Sequence, residues 1–217
     1  MLDWLLEGGY ESDVVTTIYG PAGSGKTNLC MLCLVHGMKK KKTIFIDSEG
    51  GFSIGRLKQM TDHHDDVLKR VLFLNPVNFS EQKRVFERLK KLVNDKIGLI
   101  IFDSVAMLYR LEVGRTKNVQ AVNKELGLQI SYLTEIARKK KIPIIITNQV
   151  YSDFEDKKKS YMIGGDVLKY GSKCLIELQK TDENGVRKAI LRKHRNLEEG
   201  KEVVFKIVDK GIEEVKK

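Results

Sequence analysis

The sequence predicts an α/β fold: a mostly parallel, twisted sheet flanked by helices, extended by antiparallel strands toward the C-terminus. Three observations predict it. Short β-branched runs alternate with longer segments of helical period along residues 14–147, the pattern of repeated strand–helix–strand units. Runs such as Leu99-Ile100-Ile101-Phe102 are apolar without alternation, as strands covered on both faces require. After Gly165 the pattern changes to paired strands, with Asn184-Gly185 between two of them, a dipeptide that favours a tight hairpin turn.

Each element follows in order. Residues 14–19 form the first strand and residues 26–38 the helix behind it. Residues 43–47 are the second strand, ending in a polar cluster, and residues 71–75 the third. Residues 80–96 read as an amphipathic helix, with Val85, Phe86, Leu89, Leu92 and Val93 at helical spacing. The strand at 98–103 ends in an acid, Asp103. A long helix covers 119–140, with Val122, Leu126, Ile130, Leu133 and Ala137 on one face, and a buried strand covers 142–147. Residues 173–179 and 186–194 make the hairpin, and 203–208 add one more strand. No linker, repeat or low-complexity stretch interrupts the 217 residues. Residues 1–217 are therefore expected to form a single domain around one core.

Composition narrows the function. Hydrophobic residues make up 41% and charged residues 31% of the chain, an ordinary balance for a soluble protein. Lys and Arg outnumber Asp and Glu by 39 to 29, a net charge of +10, which favours polyanion partners, nucleic acids first. No secretory signal and no apolar run long enough to cross a bilayer are present, so a soluble, cytoplasmic protein without a membrane partner is expected. Cys30 and Cys33 form a Cys-x-x-Cys pair, but they lie in the apolar run after the glycine-rich loop, with no second pair to complete a metal site. They read as small buried residues of a reducing compartment.

Gly20-Pro21-Ala22-Gly23-Ser24-Gly25-Lys26-Thr27 carries the strongest chemistry. Its glycines let successive backbone N–H groups converge on a phosphate, and the following helix adds its positive N-terminal end. Lys26 is placed to reach the β- and γ-phosphates and Thr27 to ligate Mg²⁺. Asp103, closing an apolar strand, is the expected acid on the metal side. Hydrolysis also needs a group to activate water. Asp47 and Glu49 both follow the second strand; Glu49, with Gly50 and Gly51 behind it, is preferred as base and Asp47 as a support or a ligand of metal-bound water. Thr147-Asn148-Gln149 closes the strand at 142–147, where a polar amide can sense the γ-phosphate; an amide that only satisfies backbone groups is the simpler alternative.

Two long connections remain. Residues 105–117 hold Tyr109, Arg110 and Arg115; residues 151–164 hold Phe154, Lys157, Lys158, Lys159, Tyr161 and Met162. Basic residues interleaved with aromatics suit single-stranded nucleic acid, the alternative being solvated loop charge. The basic runs at 39–42 and 138–141 fall at helix C-termini, where cations complement the helix dipole.

The segments LDWLLEGGYESDVVTTIYGPAGSGKTNL, FIDSEGGFSIGRL, LIIFDSVAMLYRLE, IIITNQV and MIGGDVLKYGSKCLIEL together resemble the RecA/RadA recombinase superfamily over almost the whole chain. Within it the chain most resembles the short archaeal RadB group. The resemblance implies a RecA-like P-loop ATPase core, with ATP and Mg²⁺ as cofactors. It implies Glu49, Lys26 and Gln149 in catalysis, residues 20–28 including Asn28 around the nucleotide, and Arg56 stacked on adenine. Thr27 and Asp103 would hold the metal, and Arg110, Arg115, Lys157, Lys158 and Lys159 the DNA. The chain starts at Leu-Asp-Trp, after the position of the family's N-terminal helical domain and Phe-x-x-Ala polymerisation motif, and its second loop is Lys-rich rather than Gly-rich. The function implied is that of an accessory factor of recombination and repair, with weak hydrolysis and no strand exchange of its own. Its partners would be DNA, a RadA-type recombinase and other repair proteins, and it would form at most a dimer or small homo-oligomer. The alternative is a DNA-dependent ATPase recombinase that builds its own filaments.

Overall fold

The computed structural model describes residues 5–37, 40–152 and 160–215. Its strands are β1 (Val15–Gly20), β2 (Lys42–Asp47), β3 (Val71–Leu74), β4 (Ile97–Asp103), β5 (Ile144–Ser152), β6 (Ser160–Met162), β7 (Cys174–Lys180), β8 (Val186–Lys193), β9 (Glu202–Val208) and β10 (Gly211–Glu214). They are ordered β10-β9-β8-β7-β1-β5-β4-β2-β3, with β6 hanging from β5. The pairs from β3 to β7 are parallel, and β7 with β8, β8 with β9 and β9 with β10 are antiparallel. This is the mixed sheet that the sequence predicts.

The continuous apolar runs have their cause in two cores. On one face Phe45, Ile101 and Ile145 pack with Leu29, Met31 and Leu34 of α1 (Lys26–His36). Helices α2 (Ile54–Met60) and α3 (His64–Leu68) join that core through Leu57 and Val67. On the other face Ile44, Ile46, Ile100 and Ile146 pack with Phe86 and Leu89 of α4 (Phe79–Leu92) and with Leu126, Ile130 and Leu133 of α6 (Val119–Lys140). Successive residues of the central strands thus alternate between two apolar layers, and β4 is buried along its whole length.

The structure corrects several boundaries. Helix α4 begins at Phe79, where Asn78 accepts from the Glu81 N–H at 2.8 Å as a cap, and it stops at Leu92, short of the expected 96. Strand β5 runs past 147 because it continues into a hairpin with β6, pairing Tyr151 with Tyr161. Residues 105–117, expected to be irregular, contain α5 (Met107–Val113), which lacks a capping side chain at Ala106. Helices α2, α3 and α7 (Gly165–Gly171) and strands β6 and β10 are further additions. Among the described residues no helix is long and apolar enough to cross a membrane, and no group of His, Cys, Asp or Glu could hold a metal by itself.

Candidate nucleotide site

Parallel strands β1, β5, β4 and β2 deliver their C-terminal ends to one rim of the sheet, where ligands of open α/β sheets bind. The loop between β1 and α1 starts at Gly20, where an added Cβ would run into the carbonyl oxygen of Leu178 on β7. It ends at Gly25, which caps α1 in a left-handed conformation (φ 99°) that glycine adopts without strain. From the outer side Arg187 Nε donates to Gly23 O at 3.1 Å.

Lys26 turns back over its own loop, donating to Gly20 O at 2.9 Å and Pro21 O at 3.0 Å. Burial pushes its pKa below the ordinary lysine value, and the nearby carboxylates of Glu49 and Asp103 oppose that shift. Asp103 is buried in turn. Its Oδ2 accepts from Thr27 Oγ1 at 2.6 Å and its Oδ1 accepts from Thr147 Oγ1. Burial pushes the Asp103 carboxyl above its usual range, the two threonine hydroxyls pull it back, and Glu49 and Asp47 add to the rise.

Beyond β2 the chain wraps a carboxylate. Asp47 Oδ1 accepts from the N–H groups of Glu49, Gly50 and Gly51 at 3.2, 2.8 and 3.2 Å, and Oδ2 from that of Phe52 at 3.0 Å. Of the two roles left open for Asp47, the geometry fits the support of this loop, with both oxygens engaged. Ser48 locks the loop to the residue after Asp103: its Oγ donates to Ser104 O at 2.6 Å and accepts from Ser104 N at 3.0 Å. Glu49 is left exposed at the rim, where Gln149 Nε2 donates to its Oε1 at 3.0 Å. Gly51 brings backbone against the metal-side pair, since a Cβ there would lie 3.2 Å from Thr27 Oγ1.

Lys26, Thr27, Glu49, Gly51 and Gln149 line a pocket of about 360 Å³ that also takes in Asn28, Met31, Arg56 and Ile207. A larger hollow of about 690 Å³ lies by Gly98 and Pro143, at the opposite ends of the strands, away from these charged groups. Three features in and beside the smaller pocket fit a triphosphate with a divalent cation. Ser24 Oγ is fully buried with no hydrogen-bond partner. The buried Lys26 ammonium meets neutral carbonyls, which an anion would replace with stronger partners. Thr27 and Asp103 offer hard oxygen donors side by side, the type that Mg²⁺ takes.

The remaining expected residues are distributed more widely. Arg56 lines the pocket, but its N–H groups bond to the protein itself. Arg110 lies exposed on α5 and Arg115 exposed just beyond it. Tyr109 packs edge-on against Phe79 and donates to Asn123 Oδ1 at 2.8 Å, so it is a packing residue and not a free stacking platform. Lys157, Lys158 and Lys159, with Phe154, lie outside the described residues. Tyr161 forms an exposed ring pair with Tyr151, centroids 5.7 Å apart. Gln149 sits where β5 leaves the rim for this hairpin, its carbonyl accepting from Ile163 N at 3.1 Å. Sequence reasoning missed Thr147, Asn28's bond to Arg56, and Ile207. Thr147 had a signal, a polar residue closing an apolar strand; Ile207 had none, since β9 reaches the pocket only through the antiparallel extension.

The sequence profile of the Rad51 family matches residues 1–215. The chain belongs to that family. Within the Rad51 family it is similar to proteins described as "DNA repair and recombination protein RadB". It is 40% identical to that of Methanococcus maripaludis over 100% of this chain and 99% of the relative. It is 38% identical to that of Methanobrevibacter smithii over 97% and 92%, and 40% identical to that of Methanocaldococcus jannaschii over 98% and 99%. A solved structure described as "Crystal structure of the RadB recombinase" superposes with a TM-score of 0.83 at 36% identity, covering 99% of this chain and 96% of that one. The mixed sheet is therefore the RecA-like fold of this family.

Proposed function

We propose that this single-domain chain binds ATP and Mg²⁺ in the 360 Å³ pocket, binds DNA, and serves as an accessory factor of homologous recombination and repair. It modulates a RadA-type recombinase and works alongside other repair proteins, alone or as a small homo-oligomer. The observation that carries this reading is the meeting of two pairs at one rim, Thr27 with Asp103 and Glu49 with Gln149. The first suits a metal–phosphate complex; the second ties a water-activating carboxylate to the strand that leads into the β5–β6 hairpin. The printed descriptions of the relatives support recombination and repair as the setting.

Bound ATP supplies the phosphoanhydride bond and the metal its charge neutralisation. The chain's own residues do the rest. The loop N–H groups and Lys26 hold the phosphates. Glu49 takes the proton of an attacking water on a carboxylate oxygen, and Gln149 fixes that carboxylate. Because Glu49 lies exposed, water is poorly excluded from the site, which supports slow hydrolysis and a role for ATP as a switch. Arg110 and Arg115, exposed on and just beyond α5, supply phosphate contacts to DNA, and the sequence adds Lys157, Lys158 and Lys159 as further candidates for that role.

The test is single-stranded DNA binding, followed by fluorescence anisotropy with and without ATP over a range of salt. The proposal expects ATP-dependent affinity that falls steeply with salt, with a log–log slope of about −0.7 for each phosphate contact. Salt-insensitive or ATP-indifferent binding would remove the DNA half of the reading. The word "recombinase" in the description of the solved relative favours a second reading, a DNA-dependent ATPase that forms its own filaments. Light scattering separates the two: long assemblies with ATP and DNA, together with strong DNA stimulation of turnover, support the second.

A further inference from the structure

Arg56 reaches from α2 to the edge of the nucleotide pocket, and each of its N–H groups is engaged inside the chain. Nε donates to Asn28 Oδ1 at 2.9 Å. Nη1 donates to Gln59 Oε1 at 2.8 Å and Asp209 O at 3.0 Å. Nη2 donates to Val208 O at 2.6 Å and Gly211 O at 3.3 Å. A guanidinium carries five N–H groups, and these bonds use all of them. What Arg56 can still offer a ligand is the flat face of its ring of charge. Asn28 is committed in the same way: its oxygen accepts from Arg56 and one amide N–H donates to Gly211 O at 3.3 Å. Of the rest of the lining, Met31 and Ile207 are apolar, while Lys26, Thr27, Glu49 and Gln149 belong to the part assigned above to the phosphates, the metal and the attacking water.

Adenine and guanine differ along one edge. Adenine presents an amino donor where guanine presents a carbonyl acceptor, while N7 accepts on both. A site tells them apart only by aiming a polar group at that edge, and such a group then penalises the wrong base by leaving itself unpaired. A base seated away from the phosphate-binding groups would meet a guanidinium face, a methionine and an isoleucine, none of which distinguishes the two edges. The one amide N–H left on Asn28 can reach only an acceptor, and N7 serves on either purine.

We infer that this site selects its ligand by the triphosphate and a flat ring, and does not discriminate between purine bases. ATP and GTP bind alike, and the clamp from Arg56 to the β9–β10 turn is the reason. This rests on the nucleotide site proposed above.

The test is displacement of a fluorescent ATP analogue from the full chain in Mg²⁺ by unlabelled ATP and GTP. Half-displacement concentrations within threefold of each other are expected. A preference of tenfold or more for either purine overturns the inference. Ile207→Ala and Arg56→Gln, checked for folding by circular dichroism, should weaken both purines by the same factor. A variant that shifts the ATP:GTP ratio by more than threefold shows that its side chain reads the base, and also overturns it. If the analogue fails to bind, or binds Lys26→Ala as well as the unmodified chain, the nucleotide site itself falls and this inference with it. Tight ATP binding with weak GTP binding sinks the inference alone.

Discussion

Gln149 Nε2 donates to Glu49 Oε1 at 3.0 Å, and this bond joins the ends of β5 and β2 across the intervening strand β4. Glu49 hangs on the loop that Asp47 ties down, and Gln149 heads the hairpin with β6. A change at the γ-phosphate position that draws Glu49 away must break or remake this bond. Glu49→Gln is therefore expected to keep ATP binding within a few-fold and to lower residual turnover about a hundredfold or more, the size of a lost general base. Gln149→Ala should keep ATP binding too, but make DNA affinity indifferent to ATP. Single-turnover hydrolysis and anisotropy, run on both variants, check the two effects separately.

Asp103 gives a prediction with a pH sign. Burial raises its carboxyl above the usual range, so the folded chain holds a proton there that the unfolded chain releases. Stability from this group is present below the unfolded value of about 3.9 and is lost as pH rises through the raised folded value. Wherever Asp103 is ionised in the folded chain, its buried charge is a burden that a bound cation would relieve. Thermal unfolding should show Asp103→Asn at least as stable as the unmodified chain at pH 7 without magnesium, and insensitive to added Mg–ATP. A large loss of Tm for the variant in metal-free buffer would show that the Thr27 and Thr147 bonds outweigh the buried charge.

What the sequence made legible and what it hid follow from how far apart the partners lie. That the glycine-rich loop, Asp103 and Glu49 sit at strand ends was readable because each follows directly on an apolar strand run. The two-sided burial of the sheet was readable in the unbroken runs of β4 and β5. Arg56 was readable only as a site residue, because the carbonyls it holds on Val208 and Gly211 are some 150 positions away in the chain. Helix α5 was missed since Ala106 carries no capping side chain, and β10 because four residues after a turn have no periodicity until β9 lies beside them. The polar residues Gln82 and Gln129 interrupt the apolar faces of α4 and α6, and nothing local says that they meet.

They do meet, out of solvent. Gln82 Nε2 donates to Gln129 Oε1 at 2.8 Å and to Val105 O at 3.0 Å, two residues beyond Asp103. Gln129 Nε2 donates to Glu125 Oε1 at 3.2 Å, and Glu125 pairs with Lys83. The network fixes the chain leaving β4 against both helices. Gln82→Leu strands two buried acceptors and should cost about 1–3 kcal/mol. Gln129→Leu strands fewer groups and should cost less, and the double variant should lose less than the sum, as expected for residues sharing one network. Urea unfolding of the set measures this coupling; strict additivity would mean that the two amides act independently.

Gly20 and Gly51 bear on one site in different ways. A methyl group on Gly20 would collide with the carbonyl oxygen of Leu178, and β7 cannot retreat without opening its parallel pairing with β1 at Ile18–Ile176 and Tyr19–Glu177. Gly20→Ala should therefore destabilise the fold by about 1–3 kcal/mol, the range for overpacking a filled interior. At Gly51 the same methyl group would lie 3.2 Å from Thr27 Oγ1 and 3.7 Å from Asp103 Oδ2. It crowds the oxygens proposed to hold the cation and leaves the strands untouched. Gly51→Ala should keep its Tm within a degree or two and lose tenfold or more in Mg–ATP affinity, while its affinity for metal-free ATP changes little. Calorimetric titration with and without magnesium distinguishes these outcomes, and an equal loss in both would mean that Gly51 serves the phosphates and not the metal.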